Sequence, residues 1–266
     1  MLSLIALLAL LAAQLPAATP SLRLEVRSAC AINALSGQVV FEQNAHQRIP
    51  PASLAKIVTL HLTLRALREG TVRLDDRALV SVRAWRTPGS RMFLEPGTRV
   101  RVEDLIKGLV VSSGNDAAVV LAEYLAGGEE AFVAQMNELA RRWGLRDTCF
   151  ANASGLPAPQ QYTSAHDVAI ICYHHLREFP QVLQYYSLRS FTYGGIRQRN
   201  RNGLLWKDPS VDGIKTGHLK GAGYHLALTA QRGGDRFIAV VMGARDESTR
   251  EEEAYRLLNW CFRTFN

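Results

Sequence analysis

Apolar positions recur in two rhythms along this chain. Near the start, "ACAINALSGQVVFEQNAHQRIP" predicts two strands around Ser36 and Gly37, a hairpin signal. The next stretch, Pro50 to Gly70, reads "PPASLAKIVTLHLTLRALREG" and switches to helical spacing, with prolines before it and a glycine after it. "RAWRTPGSRMFLEPGTRVRVEDLIKGLVVSSGND" opens as a Pro/Gly-rich loop, and its helix starts near Glu103 and stops at Ser112-Ser113-Gly114. "AAVVLAEYLAGG" and "EEAFVAQMNELARRWGL" predict two further helices, and "ANASGLPAPQQYTSAHDVAIICYHHLREFP" a loop leading into another. From "RSFTYGGIRQRNRNGLLW" onward the pattern returns to strands: "VDGIKTG", "GYHLALTAQ" and "RFIAVVMGA", with Arg232 to Asp235 turning between the last two. "STREEEAYRLLNWCFRTFN" closes as an amphipathic helix whose stripe of Leu257, Leu258, Trp260 and Phe262 suits burial against a sheet. Strands at both ends around a helical block predict an α+β fold. One antiparallel sheet is built from both chain ends, covered by helices, with a helical lobe inserted.

Composition narrows the chemistry. Of 31 basic residues only five are lysines, Lys56, Lys107, Lys207, Lys215 and Lys220, and arginine cannot serve as a proton base. The net charge is +7, yet no basic run resembles a nucleic-acid tract. A solvated surface accounts for that charge, with weak attraction to an anionic substrate or envelope surface as the sharper reading. Leu2 to Ala13 is apolar and too short to span a membrane, the length of an export signal's core, though no Lys or Arg precedes it. Residues 1–18 are therefore expected to be a signal peptide, and the mature chain to be exported. Cys30, Cys149, Cys172 and Cys261 form no C-x-x-C pair; they read as core residues, with one disulfide possible in an oxidising compartment.

Three short motifs carry chemistry. Ser53 and Lys56 stand three apart, so on a helix they share a face. A neutral lysine amine can take the serine proton, and the positive helix end and nearby cations favour that neutral form. The bland reading is a cap and a surface lysine. Ser113-Gly114-Asn115 lies between two helices, where a tight turn can present a hydroxyl and an amide to one cleft; the bland reading is a C-cap followed by an N-cap. Lys215-Thr216-Gly217-His218 lies on a strand of small residues, offering a cation and a hydroxyl to a carboxylate; the bland reading is an edge-strand lysine beside a bulge.

Ser-x-x-Lys, Ser-x-Asn and Lys-Thr-Gly in this order form the set found in penicillin-binding proteins and class A β-lactamases. With "GSRMFLEPG", "SGNDAAVVLAEYLAG", "RNRNGLLW", "VDGIKTGH" and "AGYHLALTA", the chain from about Ala29 onward resembles the low-molecular-mass D-alanyl-D-alanine carboxypeptidases. The resemblance implies a β-lactamase/transpeptidase-like fold and a double-acylation cycle that removes the terminal D-alanine of peptidoglycan stem peptides. It implies Ser53 as nucleophile and Lys56 as base, Ser113 and Asn115 as proton relay and orienting amide, and Lys215 and Thr216 as carboxylate anchor. It also implies backbone N–H groups of Ser53 and His218 as oxyanion hole, and Arg201 reaching toward the Lys-Thr-Gly strand. The partners implied are stem peptides and, as covalent inhibitors, β-lactams; no metal, cofactor or nucleic acid is expected.

Members of this type often add a β-rich second domain and a C-terminal amphipathic anchor. The chain stops at Asn266, so a single catalytic domain from residue 19 and no tight C-terminal anchor are expected. A D,D-endopeptidase acting on cross-links would use the same residues. A β-lactamase fits less well: no Glu-x-x-Leu-Asn occurs between Ser113 and Lys215, and the middle motif is Ser-Gly-Asn. A catalytically dead sensor would be expected to lack Ser53 or Lys56. A zinc D,D-peptidase would need a His/Asp ligand set; the seven histidines show no H-E-x-x-H, and His174 and His175, adjacent on a helix and pointing to different sides, read as structural.

Overall fold

A computed structural model describes residues 22–265, so the expected export segment at residues 1–18 lies outside the described residues. In chain order, β1 (Ser28–Asn33) and β2 (Val39–Gln43) precede α1 (Lys56–Arg68). Then come β3 (Arg77–Leu79), α2 (Val82–Arg86), β4 (Arg99–Arg101), α3 (Val102–Lys107), α4 (Asn115–Ala126), α5 (Glu129–Arg142) and α6 (Ala165–Glu178). The chain continues through α7 (Leu183–Tyr186), β5 (Ser190–Tyr193), β6 (Ile196–Arg199) and α8 (Leu204–Lys207). It ends with β7 (Val211–Leu219), β8 (Gly223–Arg232), β9 (Asp235–Ala244) and α9 (Glu247–Thr264).

The two chain ends meet in one five-stranded antiparallel sheet, ordered β2-β1-β9-β8-β7. Cys30 lies opposite Val240, and Val240 opposite Ala227, so the first strand pairs directly with the last. Both faces are apolar, because both are covered. Ala29, Ala31, Phe237, Ala239 and Val241 face α9, while Cys30, Ile32, Ile238, Val240 and Met242 join the core that includes α1 and α6. The stripe on α9 is used as its pattern predicts: Leu257, Leu258 and Phe262 are buried against the sheet, and Trp260 meets Phe41 edge-on. Each such side chain contributes about 2 kcal/mol.

The inserted lobe centres on α4, whose residues from Asn115 to Ala122 are all buried. Two features departed from the pattern. β3 and β4 pair over three residues each, too short for a period to show. The 190–199 region forms its own hairpin, β5 with β6, outside the main sheet. The four cysteines are free, three of them buried and Cys149 partly so. Among the described residues no helix is long and apolar enough to cross a membrane.

The helices also bury imidazole. His61 Nδ1 lies 3.3 Å from His175 Nδ1, and His175 Nε2 lies 3.0 Å from the Tyr186 hydroxyl. His174, its neighbour, is only half-buried and stacks on Trp143. Desolvation holds His61 down to about 2, His175 to about 3 and His225, on β8, to about 4. All three values lie below the unfolded imidazole's, so on acidification the unfolded chain takes up protons first. Their contribution is complete above about pH 6.5 and is lost as pH falls below it. We expect stability to drop by about 4 kcal/mol per pH unit over roughly pH 6 to 4.5, three protons at about 1.4 kcal/mol each. Urea titrations across that range should show it, and His175→Leu should flatten the slope by about one proton.

Candidate active site

The nucleophile candidate is set by a strained turn. Ser53 lies in a 3-10 turn, Ala52–Ala55, and α1 itself begins at Lys56. The sequence pattern merged the two into one helix. Ala52 adopts a φ of 49°, a left-handed conformation that costs a non-glycine residue about 1 kcal/mol. Its neighbours enforce it. A Cβ on Gly155 would lie 1.7 Å from the Ala52 carbonyl oxygen, and one on Gly217 would crowd the Ala52 side chain at 3.1 Å. Behind the turn, the Gly243 N–H donates to His225 Nδ1, so His225 Nε2 carries the proton and donates to the Pro50 carbonyl at 3.1 Å.

Lys56 is 1% exposed, and its amine lies 2.9 Å from Ser53 Oγ. Its other partners are Asn115 Oδ1 and the Ser154 carbonyl, each at 2.6 Å. Burial, with a smaller contribution from Arg201 and against the opposing pull of Asp116, lowers its pKa to about 7. The expected effect of a nearby cation is present in Arg201, but desolvation is larger. As a neutral amine Lys56 has two N–H donors and one lone pair. Asn115 and Ser154 can only accept, so the lone pair faces the Ser53 hydroxyl, as a general base requires.

Ser113 closes a π-helical turn, Gly108–Ser112, in the left-handed conformation, φ 60°. Its hydroxyl is buried and has no hydrogen-bond partner among the described residues. Asn115 is fixed at both ends of its amide: Oδ1 by Lys56, and Nδ2 donating to the Pro88 carbonyl at 2.6 Å. On the sheet edge, Lys215 is 4% exposed and donates to its neighbour's carbonyl, Thr216 O, at 3.0 Å. Burial pushes its pKa well down, with Lys56, Arg201 and Arg250 adding to the effect.

These groups meet at one cleft of about 360 Å³. Ser53, Ser113, Asn115, Thr216, Gly217, His218 and Arg201 all line it. Lys56 and Lys215 lie just beneath. Asp208 and Asp212, the carboxylates near Arg201 in sequence, are engaged elsewhere, by Arg232 and Arg236 at 2.7 Å. Among the described residues Arg201 has no acidic partner within 4 Å.

Sequence reasoning missed four contributors. The Ser154 carbonyl reaches Lys56 because Asn152 Oδ1 accepts from the Gly155 and Leu156 N–H groups, and Thr59 donates to the Ala153 carbonyl. Arg250, on α9, lines the cleft and donates to the Arg201 carbonyl. His225 sets the turn, as above. Asp116 accepts from the N–H groups of Met92 and Leu94, which pins the wall carrying Gly89 and Ser90. Only Asp116 left a trace in the pattern, as the acid directly after Ser-Gly-Asn.

A helix-borne Ser-x-x-Lys at the seam between an antiparallel sheet and a helical lobe, faced by Lys-Thr-Gly on the edge strand, defines the penicillin-recognising serine hydrolases. Within that class this chain belongs to the D-alanyl-D-alanine carboxypeptidase family, whose sequence model matches residues 14–246. It is 45% identical over 237 residues to D-alanyl-D-alanine carboxypeptidase DacD of Salmonella typhimurium, covering 86% of this chain and 61% of that protein. It is 42% identical over 250 residues to DacA of Escherichia coli, covering 91% and 62%. The chain thus spans about three fifths of the curated relatives' length. Penicillin binding protein 5 from Haemophilus influenzae superposes with a TM-score of 0.89 at 39% identity, over 92% of this chain and 73% of that one. Penicillin-Binding Protein D2 from Listeria monocytogenes, in its ampicillin-bound form, gives 0.84 at 29% identity over 92% and 100%.

The role of Asp116 can be checked by stability. Asp116→Ala leaves the buried N–H groups of Met92 and Leu94 without acceptors, a loss of about 3 kcal/mol. Urea denaturation should report it, and Asp116→Asn, which keeps one acceptor, should lose less.

Proposed function

We propose that this protein is a serine D-alanyl-D-alanine carboxypeptidase acting on peptidoglycan stem peptides, and that β-lactams acylate it at Ser53. The observation that carries the reading is the Lys56 amine, buried 2.9 Å from Ser53 Oγ with a pKa lowered to about 7. In this reading Ser53 Oγ attacks the carbonyl of the penultimate D-alanine and passes its proton to Lys56. The backbone N–H groups of Ser53 and His218 hold the oxyanion. The Ser113 hydroxyl carries a proton from Lys56 to the departing amine of the terminal D-alanine. Water then attacks the acyl-enzyme by the reverse relay and frees Ser53. Asn115 holds the amine of Lys56 in line, and Lys215, Thr216 and Arg201, beside Gly217, bind the substrate's terminal carboxylate.

The place of action we propose is extracytoplasmic. The apolar run from Leu2 to Ala13 supports export, and the substrate class lies outside the cytoplasm. The positive charge suits weak contact with anionic envelope polymers. A D,D-endopeptidase would share every residue named, so the deciding assay offers a D-Ala-D-Ala-terminated pentapeptide and a cross-linked dimer. Release of free D-alanine from the pentapeptide is the expected main product; cleavage of the dimer alone would replace this reading.

Acylation gives the sharpest test of the base. With penicillin, intact mass should show one adduct, absent in Ser53→Ala. The acylation rate should rise with pH and level off above an apparent pKa of about 7, because only the neutral amine of Lys56 accepts a proton. Lys56→Arg should cut the rate by at least about a hundredfold.

Carboxylate recognition is tested by comparing a free-acid peptide with its C-terminal amide. Lys215→Ala and Arg201→Ala should each lower kcat/KM for the acid about tenfold more than for the amide. An equal loss on both would assign the two cations to the fold instead.

A further inference from the structure

Outside the cleft, one cluster combines ligand chemistry with prearranged support. Glu42 lies on β2, His46 in the loop that follows, and His166 in the first turn of α6. One nitrogen of each ring and a Glu42 carboxylate oxygen lie within 4.8 Å of one another. His46 Nε2 is 3.6 Å from Glu42 Oε1, and the two imidazoles lie with centroids 4.5 Å apart and planes tilted by 31°.

The backs of both rings are held by carboxylates. His46 Nδ1 faces Asp147 Oδ2 at 3.2 Å, and His166 Nδ1 faces Asp167 Oδ1 at 3.3 Å. This fixes the tautomer that leaves each Nε2 with its lone pair outward. Imidazoles that bind metal are oriented in this way, their second N–H on a carboxylate. The supports are themselves anchored. Asp167, 2% exposed, also accepts from the Asp147 N–H and the Thr148 hydroxyl, each at 2.8 Å. Asp147 accepts from Arg48 at 3.0 Å, and the His166 N–H donates to the Ala45 carbonyl at 3.0 Å.

We propose that Glu42, His46 and His166 form a surface site for a divalent transition-metal ion, zinc by preference. Two imidazole nitrogens and one carboxylate oxygen suit zinc, with water as fourth ligand. Ligand atoms around tetrahedral zinc stand about 3.4 Å apart. The exposed Glu42 and His46 side chains can close that distance. The ion would clip β2 and the following loop to the start of α6. That loop runs on to Pro50 and the Ser53 turn, so the clip would brace the cleft from outside. No spacing motif announces the site, because its ligands come from three separate elements. The proposal departs from the expectation that the chain binds no metal, and the site takes no part in the reaction.

The test is zinc binding to the full protein by equilibrium dialysis and calorimetry. One ion per chain with a Kd tighter than about 100 µM is expected, together with a zinc-dependent rise in Tm. Cobalt should give the visible absorption of a tetrahedral site. His46→Ala, His166→Ala and Glu42→Gln should each weaken binding at least about tenfold. His174→Ala, about 12 Å along α6 from His166, should leave it intact. Glu42 and His46 are exposed and His166 and His174 partly so, and an unaltered metal-free Tm verifies folding. Weaker binding by the wild type, or affinity that survives both His46→Ala and His166→Ala, overturns the proposal.

Discussion

The structure turns on one constraint: an amine must be buried beside a serine hydroxyl and remain largely uncharged. A buried neutral amine needs three partners, acceptors for its two N–H groups and a donor for its lone pair. Lys56 finds three, and each comes from a different part of the chain: Ser53 from its own turn, Asn115 from the start of α4, and the Ser154 carbonyl from a loop. The surrounding architecture serves those three contacts. The sheet edge presses Gly217 against the Ser53 turn, Asn152 folds its loop so that a carbonyl points inward, and the lobe holds Asn115 through Pro88.

How much of this was legible depends on what each feature costs to encode. The sheet strands and long helices were legible because burial writes a period over many residues. β1 and β9 alternate between two apolar covers, and α9 carries its stripe through Phe262. The three motifs were legible because each residue type is scarce or chemically particular; a chain with five lysines makes Lys56 conspicuous. A carbonyl is invisible by contrast, since every residue has one. Nothing in "ANASG" tells that Ser154 O, and not the Ser154 hydroxyl, meets the amine. Arg250 was hidden differently. It sits among charged residues at the start of an amphipathic helix, where a solvated guanidinium is the ordinary case, yet it is 2% exposed.

The reason for the lowered lysine also changed. A helix terminus would disfavour an ammonium by about 1 kcal/mol at most when exposed. Lys56 opens α1 behind a 3-10 turn that carries Ser53, so its own backbone begins the helix while its side chain enters the core. Desolvation is then the larger effect, as it is for Lys215. Sequence pointed to the right group and to a secondary cause.

In the proposed function the cations around the cleft would link recognition to proton transfer. Lys215, Arg201 and Arg250 stand near one another, and Arg201 depresses both lysines. In the free protein Arg201 adds to desolvation in lowering the Lys56 pKa to about 7. Under the proposed function, a substrate carboxylate seated against Lys215 and Arg201 would offset that positive field and raise the affinity of Lys56 for a proton. A ligand without the carboxylate would leave the field uncompensated and the base weaker. Discrimination for a free C-terminus would then act through the strength of the base as well as through binding, which a simple salt bridge to substrate would not achieve.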